Sequence, residues 1–404
     1  MSVRKKPFVV ATRGSVLALA QAHLVVAACQ RAHPRMRFEI RVFKTRGDAL
    51  ALASLAGQGG DSQNPGPSEA PGRDEASAPA AGSPTEPRGE GGPRPAEDDA
   101  QGEALSKGLF TKELEAALLA GEADLAVHSL KDLPIDLPEG LALAAVTPRA
   151  DARDVLIYRD QKHVAAQALA RSKEPEDWVP GQAVFRGFRP DLSLAGLPSG
   201  AVVATSSTRR QAQVLAARPD IQVKSIRGNV TTRLRKLAED PGFDALILAA
   251  AGLERLGLRA RSDGRLFAGP PLLPESALAG VEAPAGLLAS PIDTAEMIPC
   301  VGQGVIGIEI REKDEDLTAL CEAINHRATM VCVAAERAFL RRMGGGCQSP
   351  VAAHAQVIGH RLRLRAVSFR TGSARRVEAS KGWSEPVPLG EAAAEQLLAE
   401  EGGA

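Results

Sequence analysis

Several strand-like segments of this sequence end in short runs of cations and hydroxyls. After 8–12 come Arg13, Gly14 and Ser15; after 37–44 come Thr45, Arg46, Gly47 and Asp48; after 124–128 come Ser129, Lys131 and Asp132. Further on, Ser206, Ser207, Arg209 and Arg210 follow one such segment, and Arg227, Gly228, Asn229 and Arg233 follow another. In open α/β sheets ligands bind beyond the carboxyl ends of strands, so these are the positions where side chains meet a substrate. Ser206 and Ser207 suit the N-cap of the following helix, whose free N–H groups and dipole favour an anion. Taken singly, each arginine reads as a solvated charge at a helix end. Seven cations placed after strands, rather than scattered over helix faces, predict a cleft that takes an anion bearing several carboxylates or phosphates. Neither G-x-x-x-x-G-K-[ST] nor a post-strand G-x-G-x-x-G occurs, so carboxylates are favoured over nucleotide phosphates.

Two other side chains bear on chemistry. Asp132 is an acidic residue directly beside a cation, Lys131, suited to stabilising developing positive charge or moving protons, although L-K-D-L-P also reads as a simple turn. Cys347 follows three glycines in G-G-G-C-Q-S-P, which permits an exposed thiol in a flexible turn; read alone, a buried structural cysteine is the plainer account. His128 and Gln303, the latter in V-G-Q-G, read as structural on their own.

The elements that must position these residues alternate between strand and helix. Strands are expected at 8–12, 37–44, 124–128, 202–205, 221–226 and 244–249, and helices at 16–30, 112–120, 209–217 and 231–239, which gives two successive α/β units. From Arg327 the pattern changes to a helix at 331–342, a glycine-rich turn and strands at 351–358 and 361–369, a small α+β unit. Segment 57–104 contains no Val, Ile, Leu, Met, Phe, Trp, Tyr or Cys. It carries ten acidic against three basic residues, a net charge of −7, and reads as a disordered acidic insertion. Segments 161–198 and 261–291, rich in Pro and Gly, read as surface insertions.

Composition narrows the function classes. The 404 residues balance 49 Lys plus Arg against 49 Asp plus Glu, so there is no bulk attraction to nucleic acid or an anionic membrane. Two Trp, one Tyr and ten Phe leave little for a base-stacking platform. The longest near-apolar stretch, 245–253, is far below the roughly 20 residues of a bilayer span, and residues 1–7 lead into a strand rather than a signal core, so a cytoplasmic protein is expected. Five separated cysteines without C-x-x-C spacing argue against disulfides and structural zinc.

The motifs A-T-R-G-S (11–15), S-K-G-L-F-T-K-E-L-E (106–115) and D-L-A-V-H-S-L-K-D-L-P (124–134) resemble the porphobilinogen deaminases, also called hydroxymethylbilane synthases. The resemblance continues through A-T-S-S-T-R-R-Q (204–211), S-I-R-G-N-V-T-T-R-L-R-K-L (225–237), V-G-Q-G (301–304) and E-R-A-F-L-R-R-M-G-G-G-C-Q-S-P-V (336–351). It implies an α/β protein of three domains, the first two doubly wound sheets like those of periplasmic binding proteins and the third a small α+β domain. The implied boundaries are 1–150 plus 304–325, then 151–303, then 326–404.

It also implies a transferase that condenses four porphobilinogen molecules head to tail with loss of ammonia and releases hydroxymethylbilane. Elongation starts from a dipyrromethane cofactor held by a thioether at the position of Cys347. Asp132 becomes the catalytic carboxylate; Lys131, Ser207, Arg209, Arg210, Arg227 and Gly228 become cofactor contacts; Arg13, Ser15, Lys107, Phe110, Arg233 and Gln303 become substrate or hinge positions. A monomer without metal, nucleic acid or membrane partner is expected. A two-domain binder of anions, or a phosphate-handling transferase on a similar fold, is the competing reading. The binder needs neither Cys347 nor Asp132, and the transferase needs a phosphate loop.

Where 57–104 lies, the family has a short loop with basic residues. Replacing 57–104 by a short Gly/Ser loop is expected to leave the melting temperature nearly unchanged, since the segment has no branched-aliphatic or aromatic surface to dock. Removing its negative charge is expected to lower the apparent KM for an anionic substrate at low salt and to converge with the parent chain at high salt. A large loss of stability, or a loss of turnover independent of salt, would contradict this reading.

Overall fold

The computed structural model describes residues 6–45, 111–171, 184–269, 281–346 and 349–402. The acidic segment 57–104, Lys107, Phe110 and Cys347 lie outside the described residues. Runs of Val, Ile, Leu and Ala with both faces covered build two five-stranded sheets, as expected of strands flanked by helices. The first sheet contains β1 (Phe8–Arg13), β2 (Phe38–Phe43), β3 (Leu125–Ser129) and β4 (Leu141–Val146), with helices α1 (Val16–Ala32) and α2 (Lys112–Leu119). The second contains β5 (Asp154–Arg159), β6 (Val202–Ala204), β7 (Gln222–Lys224) and β8 (Ala245–Ala249). It is accompanied by α3 (Gln161–Arg171), α4 (Thr208–Ala217), α5 (Val230–Glu239) and α6 (Ala250–Arg255). A ribbon of β9 (Leu258–Ala260) and β10 (Leu266–Ala268) leads to β11 (Leu287–Ile292), which closes the second sheet in the order β11-β5-β8-β6-β7.

The chain then returns. Strand β12 (Ile306–Arg311) enters the first sheet antiparallel to both neighbours, giving the order β2-β1-β3-β12-β4. Two connections therefore join the sheets, 147–153 outward and 293–305 back. They are hydrogen-bonded to each other: Ala150 N donates to the Gly304 carbonyl (3.0 Å), the Arg149 guanidinium to the Gln303 carbonyl (3.1 Å) and the Gln303 amide to the Ala152 carbonyl (2.7 Å). Gly302 and Gly304 occupy φ of +71° and +83°, which explains the glycines of V-G-Q-G.

After α7 (Glu315–Glu322) and α8 (Arg327–Arg342), an antiparallel sheet of β13 (Val351–Ile358), β14 (Arg361–Ser368) and β15 (Arg375–Gly382) is covered on one face by α8 and α9 (Pro386–Gly402). The fully buried Glu336 of α8 ties this unit to both connections. It accepts from Arg149 Nη2, Gly302 N and Ala355 N, each at 2.8 Å. Among the described residues no helix is long and apolar enough to cross a membrane.

The structure corrects two readings of the sequence. The stretch 161–198 is not a surface insertion throughout, because Gln161–Arg171 is helical and Leu194 and Leu197 are buried in the core beside Tyr158. Most of β11 falls in 261–291; its Pro291 looks like a breaker but sits on the edge strand of the sheet, where a missing N–H is tolerated. Strand 221–226 is also shorter than read, at Gln222–Lys224, and β4, β5 and β12 were not anticipated from the pattern.

Helices α8 and α9 approach closely at Gly390, where an added Cβ would stand 2.2 Å from the Ala335 carbonyl oxygen and 2.7 Å from Phe339 N. Gly390→Ala is therefore expected to cost about 1–3 kcal/mol, because backbone rather than a side chain must yield. Urea unfolding with near-parental stability would contradict the close packing.

Candidate functional site

Lys131 and Asp132 occupy a single 3₁₀ turn directly after β3, held in place by the chain on both sides. Upstream, the buried His128 Nε2 bonds Glu309 Oε2 of β12 at 2.9 Å, and Gln21 of α1 bonds Ser129 Oγ. Downstream, Arg337 of α8 donates to the carbonyls of Pro134 and Ile135. The turn is thus fixed while Asp132 stays exposed. Ser15 caps α1 by accepting from Ala18 N, next to the half-buried Arg13.

The second sheet supplies the facing cations. Ser207 and Asn229 cap α4 and α5 through their side-chain oxygens. Arg227 is exposed, and Arg233 Nε donates to the Gly228 carbonyl at 2.7 Å, where Gly228 adopts φ +115°. Burial depresses the Arg233 pKa, Arg210 and then Arg227 add to the effect, and Asp132 opposes it. Lys131 behaves similarly: burial lowers its pKa, Asp132 resists, and Arg210 adds to the depression. Residues at the ends of β3, β6 and β7 therefore share one electrostatic field, with Asp132 as the carboxylate opposing the cations.

Arg209 and Arg210 were expected to meet ligand carboxylates, and the structure gives them a protein carboxylate as well. Asp154, at the start of β5 and fully buried, accepts from Arg209 Nη1 at 2.7 Å and from Arg210 Nε and Nη2 at 3.0 and 2.7 Å. Gln303 Nε2 adds a further contact at 2.9 Å. Burial disfavours the Asp154 charge, yet the two guanidiniums outweigh it and hold the carboxyl below the usual carboxylate range. Among the described residues Arg209 Nε has no hydrogen-bond partner. Gln303 is 1% exposed and spends its amide N–H groups on Asp154 and Ala152, which makes it a linker between the connections.

Sequence reasoning missed three residues here. Asp154 opens a strand hidden in A-D-A-R-D-V-L-I-Y-R (150–159). Cys300, half-buried, lies close enough to Arg209 and Lys131 for their charges to counter the upward push that burial gives its thiol. Arg255 at the end of α6 donates Nη2 to the Gly304 carbonyl at 2.7 Å, and burial pushes its pKa down to about 10. A basic residue in the last turn before Gly257 was the available signal for Arg255. On either side of Cys347, Gly344 takes φ +65° and Gly346 N donates to Ser349 Oγ at 3.0 Å.

This arrangement can hold a ligand with several carboxylates against Lys131, Arg227 and Arg233, with a carboxylate facing any positive charge that develops. Comparison with known proteins agrees in kind. The description "Porphobilinogen deaminase, dipyromethane cofactor binding domain" matches residues 8–63 and 96–319, and "Porphobilinogen deaminase, C-terminal domain" matches 330–399. The unmatched 64–95 falls inside the acidic segment. A porphobilinogen deaminase of Roseiflexus sp. (strain RS-1) is 36% identical over 395 residues, 98% of this chain and 96% of the relative. One from Nitratidesulfovibrio vulgaris is 39% identical over 354 residues (88% and 79%), and one from Chromobacterium violaceum 36% over 392 (96% and 94%).

Asp154→Asn should destabilise the chain by about 3–5 kcal/mol, because two buried guanidiniums lose their counter-charge. A folded-state pKa below the unfolded value means that this contribution is present above the unfolded carboxyl pKa of about 3.9 and lost only as pH falls through the lower folded value. The stability gap between parent and variant is therefore expected to persist from neutral pH down to about pH 5, read by urea unfolding at each pH. A gap that closes over that interval would show that Asp154 is not the ionised partner.

Proposed function

The chain belongs to the porphobilinogen deaminase family, and from that premise we propose that its cleft condenses four porphobilinogen molecules head to tail into hydroxymethylbilane, with Asp132 as the catalytic carboxylate and Cys347 as the cofactor thiol. The observation that supports the assignment of residues is the charge balance of the cleft: Lys131 and Arg233, beyond the ends of strands from the two sheets, are both repelled by Arg210 and both opposed by the exposed carboxylate Asp132. Such a cluster repels itself until carboxylates arrive, and acetate and propionate side chains supply them. That donor set fits dipyrromethane as the cofactor, which when bound supplies a nucleophilic pyrrole carbon as the primer.

The protein's own groups have separable tasks in this reading. Arg13, Ser15, Lys131, Ser207, Arg227, Gly228 and Arg233 bind and orient carboxylates, while Lys107 and Phe110 flank the site. Arg209 and Arg210 act through the Asp154 network, extending cationic field into the cleft. Asp132 accepts pyrrole N–H groups and faces the positive charge that grows on the substrate's aminomethyl carbon as ammonia departs. Gln303 joins the two connections across which the sheets move relative to each other, and Arg255 ties α6 to the return connection. The first two sheets are then the cores of periplasmic-binding-protein-like domains and the third sheet the core of a small domain carrying the cofactor. We place this enzyme in the cytoplasm as a monomer.

Cys347→Ser is expected to yield a protein whose intact mass lacks the two pyrrole units of the parent and which has no turnover, because a hydroxyl is a far weaker nucleophile than a thiolate. Full turnover without an adduct would overturn the assignment. Asp132→Ala should keep the fold and lose on the order of 10²-fold or more in kcat, with Asp132→Glu retaining more. Near-parental turnover in Asp132→Ala would reduce the residue to a turn former.

A further inference from the structure

The third sheet has a second face, turned away from α8 and α9, whose composition is unlike an ordinary packing surface. Strand register places Ala352 opposite Val367, His354 opposite Arg365 and Gln356 opposite Arg363, so these pairs form successive rows on that face. Strand β15 adds Arg376, Glu378 and Ser380 to the same rows. In the first row Ala352 and Val367 are apolar and close on Ile298, with Ala212 of α4 packed alongside. The second row meets the rest of the molecule through polar groups: Arg365 Nη2 donates to Thr294 Oγ1 at 2.8 Å, just beyond β11. The third row opens outward, with the Arg363 side chain 35% exposed.

His354 is 4% exposed, yet among the described residues its Nδ1 has no hydrogen-bond partner, and the buried Nε of Arg363 has none either. Buried nitrogens are nearly always satisfied, and an ordinary core histidine finds a carbonyl or a carboxylate. Here the charged neighbours are guanidiniums. Burial first, then Arg149, Arg365 and Arg363, push the His354 pKa down to about 3, so the ring is neutral at physiological pH and can donate one N–H.

Counter-charge is short on this face. Arg149 has Glu336 at 2.8 Å, but that carboxylate also accepts from Gly302 N and Ala355 N. Arg363 donates to Gln356 Oε1 and has Glu378 only at 3.8 Å, a carboxylate whose side chain is 57% exposed. Among the described residues no carboxylate lies within 4.0 Å of Arg365. Arg363 thus has one distant carboxylate and Arg365 none within ion-pair distance, beside an imidazole whose Nδ1 is unsatisfied among the described residues.

We propose that the face built from His354, Arg363 and Arg365, where it meets Arg149 and Thr294, is an anion site separate from the cleft, taking a carboxylate or a phosphate group. Both present several acceptor oxygens, which suits a guanidinium fork and a neighbouring imidazole N–H. The ligand enters from the Arg363 end. Since the site draws on the connection carrying Arg149, the segment carrying Thr294 and the third sheet, an anion there bridges all three.

The test is a side-chain ¹⁵N spectrum of the histidines in the full chain, titrated with inorganic phosphate, with acetate and with chloride at matched ionic strength. The His354 resonance is assigned by its loss in His354→Gln. Saturable movement with phosphate or acetate but not chloride is expected, and the tighter of the two identifies the group bound. Arg363→Gln, at a partly exposed position, should weaken that binding about tenfold while leaving kcat and KM for porphobilinogen unchanged. Arg233→Gln, in the cleft, should leave the His354 titration unaltered. A resonance that does not move, that moves equally in chloride, or whose titration is abolished by Arg233→Gln rather than Arg363→Gln, would overturn the proposal. The cleft assignment stands or falls separately, on the Cys347 and Asp132 variants.

Discussion

A buried carboxylate between two arginines organises the centre of this molecule. Asp154 stands at the first residue of β5, where the outward connection becomes the second sheet, and it binds Arg209 and Arg210 of α4 together with Gln303 of the return connection. Desolvating one carboxylate and two guanidiniums is costly, and the geometry offsets the cost by giving both carboxylate oxygens charged donors. One interaction therefore fixes α4, the start of a sheet and the crossing of two chain segments. Glu336 repeats the device a short distance away, joining α8 and β13 to the same crossing.

The cleft works by the opposite principle. Where Asp154 satisfies its arginines, Lys131 and Arg233 have their pKa values depressed by burial first and then by the nearby Arg210, with Asp132 opposing the shift. Cations held near each other at some cost to the empty protein gain most when an anion binds, so stability given up in the cleft reappears as affinity. The fixed turn after β3 matters for the same reason. The His128–Glu309 pair fixes the strand before it and Arg337 the backbone after it, while the Asp132 side chain stays exposed.

How much of this could be read from sequence depended on where the information lies. Helix starts were legible because Ser15, Ser207 and Asn229 cap in place. The cationic cleft was legible because its residues follow strands, and the family because its motifs are contiguous. Asp154 was not, since an aspartate gains meaning only from two arginines 55 and 56 positions away. The role of Gln303 was hidden similarly, for an amide 1% exposed cannot be told from a solvated one by its neighbours in sequence. Strand β11 was obscured by Pro291, whose tolerance depends on lying at a sheet edge. The outer face of the third sheet was unreadable as well, because alternation in β14 shows that Arg361, Arg363 and Arg365 share a side without showing what that side meets.

Strand β12 carries a consequence for the order in which the chain acquires its structure. Glu309 pairs with His128 across 181 positions, and β12 lies between β3 and β4 in the first sheet. All strands of the second sheet fall between β4 and β12 in the chain. On the ribosome, the sheet begun first is therefore completed only after the second, with β3 and β4 lacking their shared neighbour throughout synthesis of the intervening strands. Pairing over such separations is slow because loop closure precedes any gain in contacts, and unpaired strand edges invite association. The nascent chain passes through a state whose second sheet can close while its first still presents an open edge, the stage at which a chaperone would find most to bind.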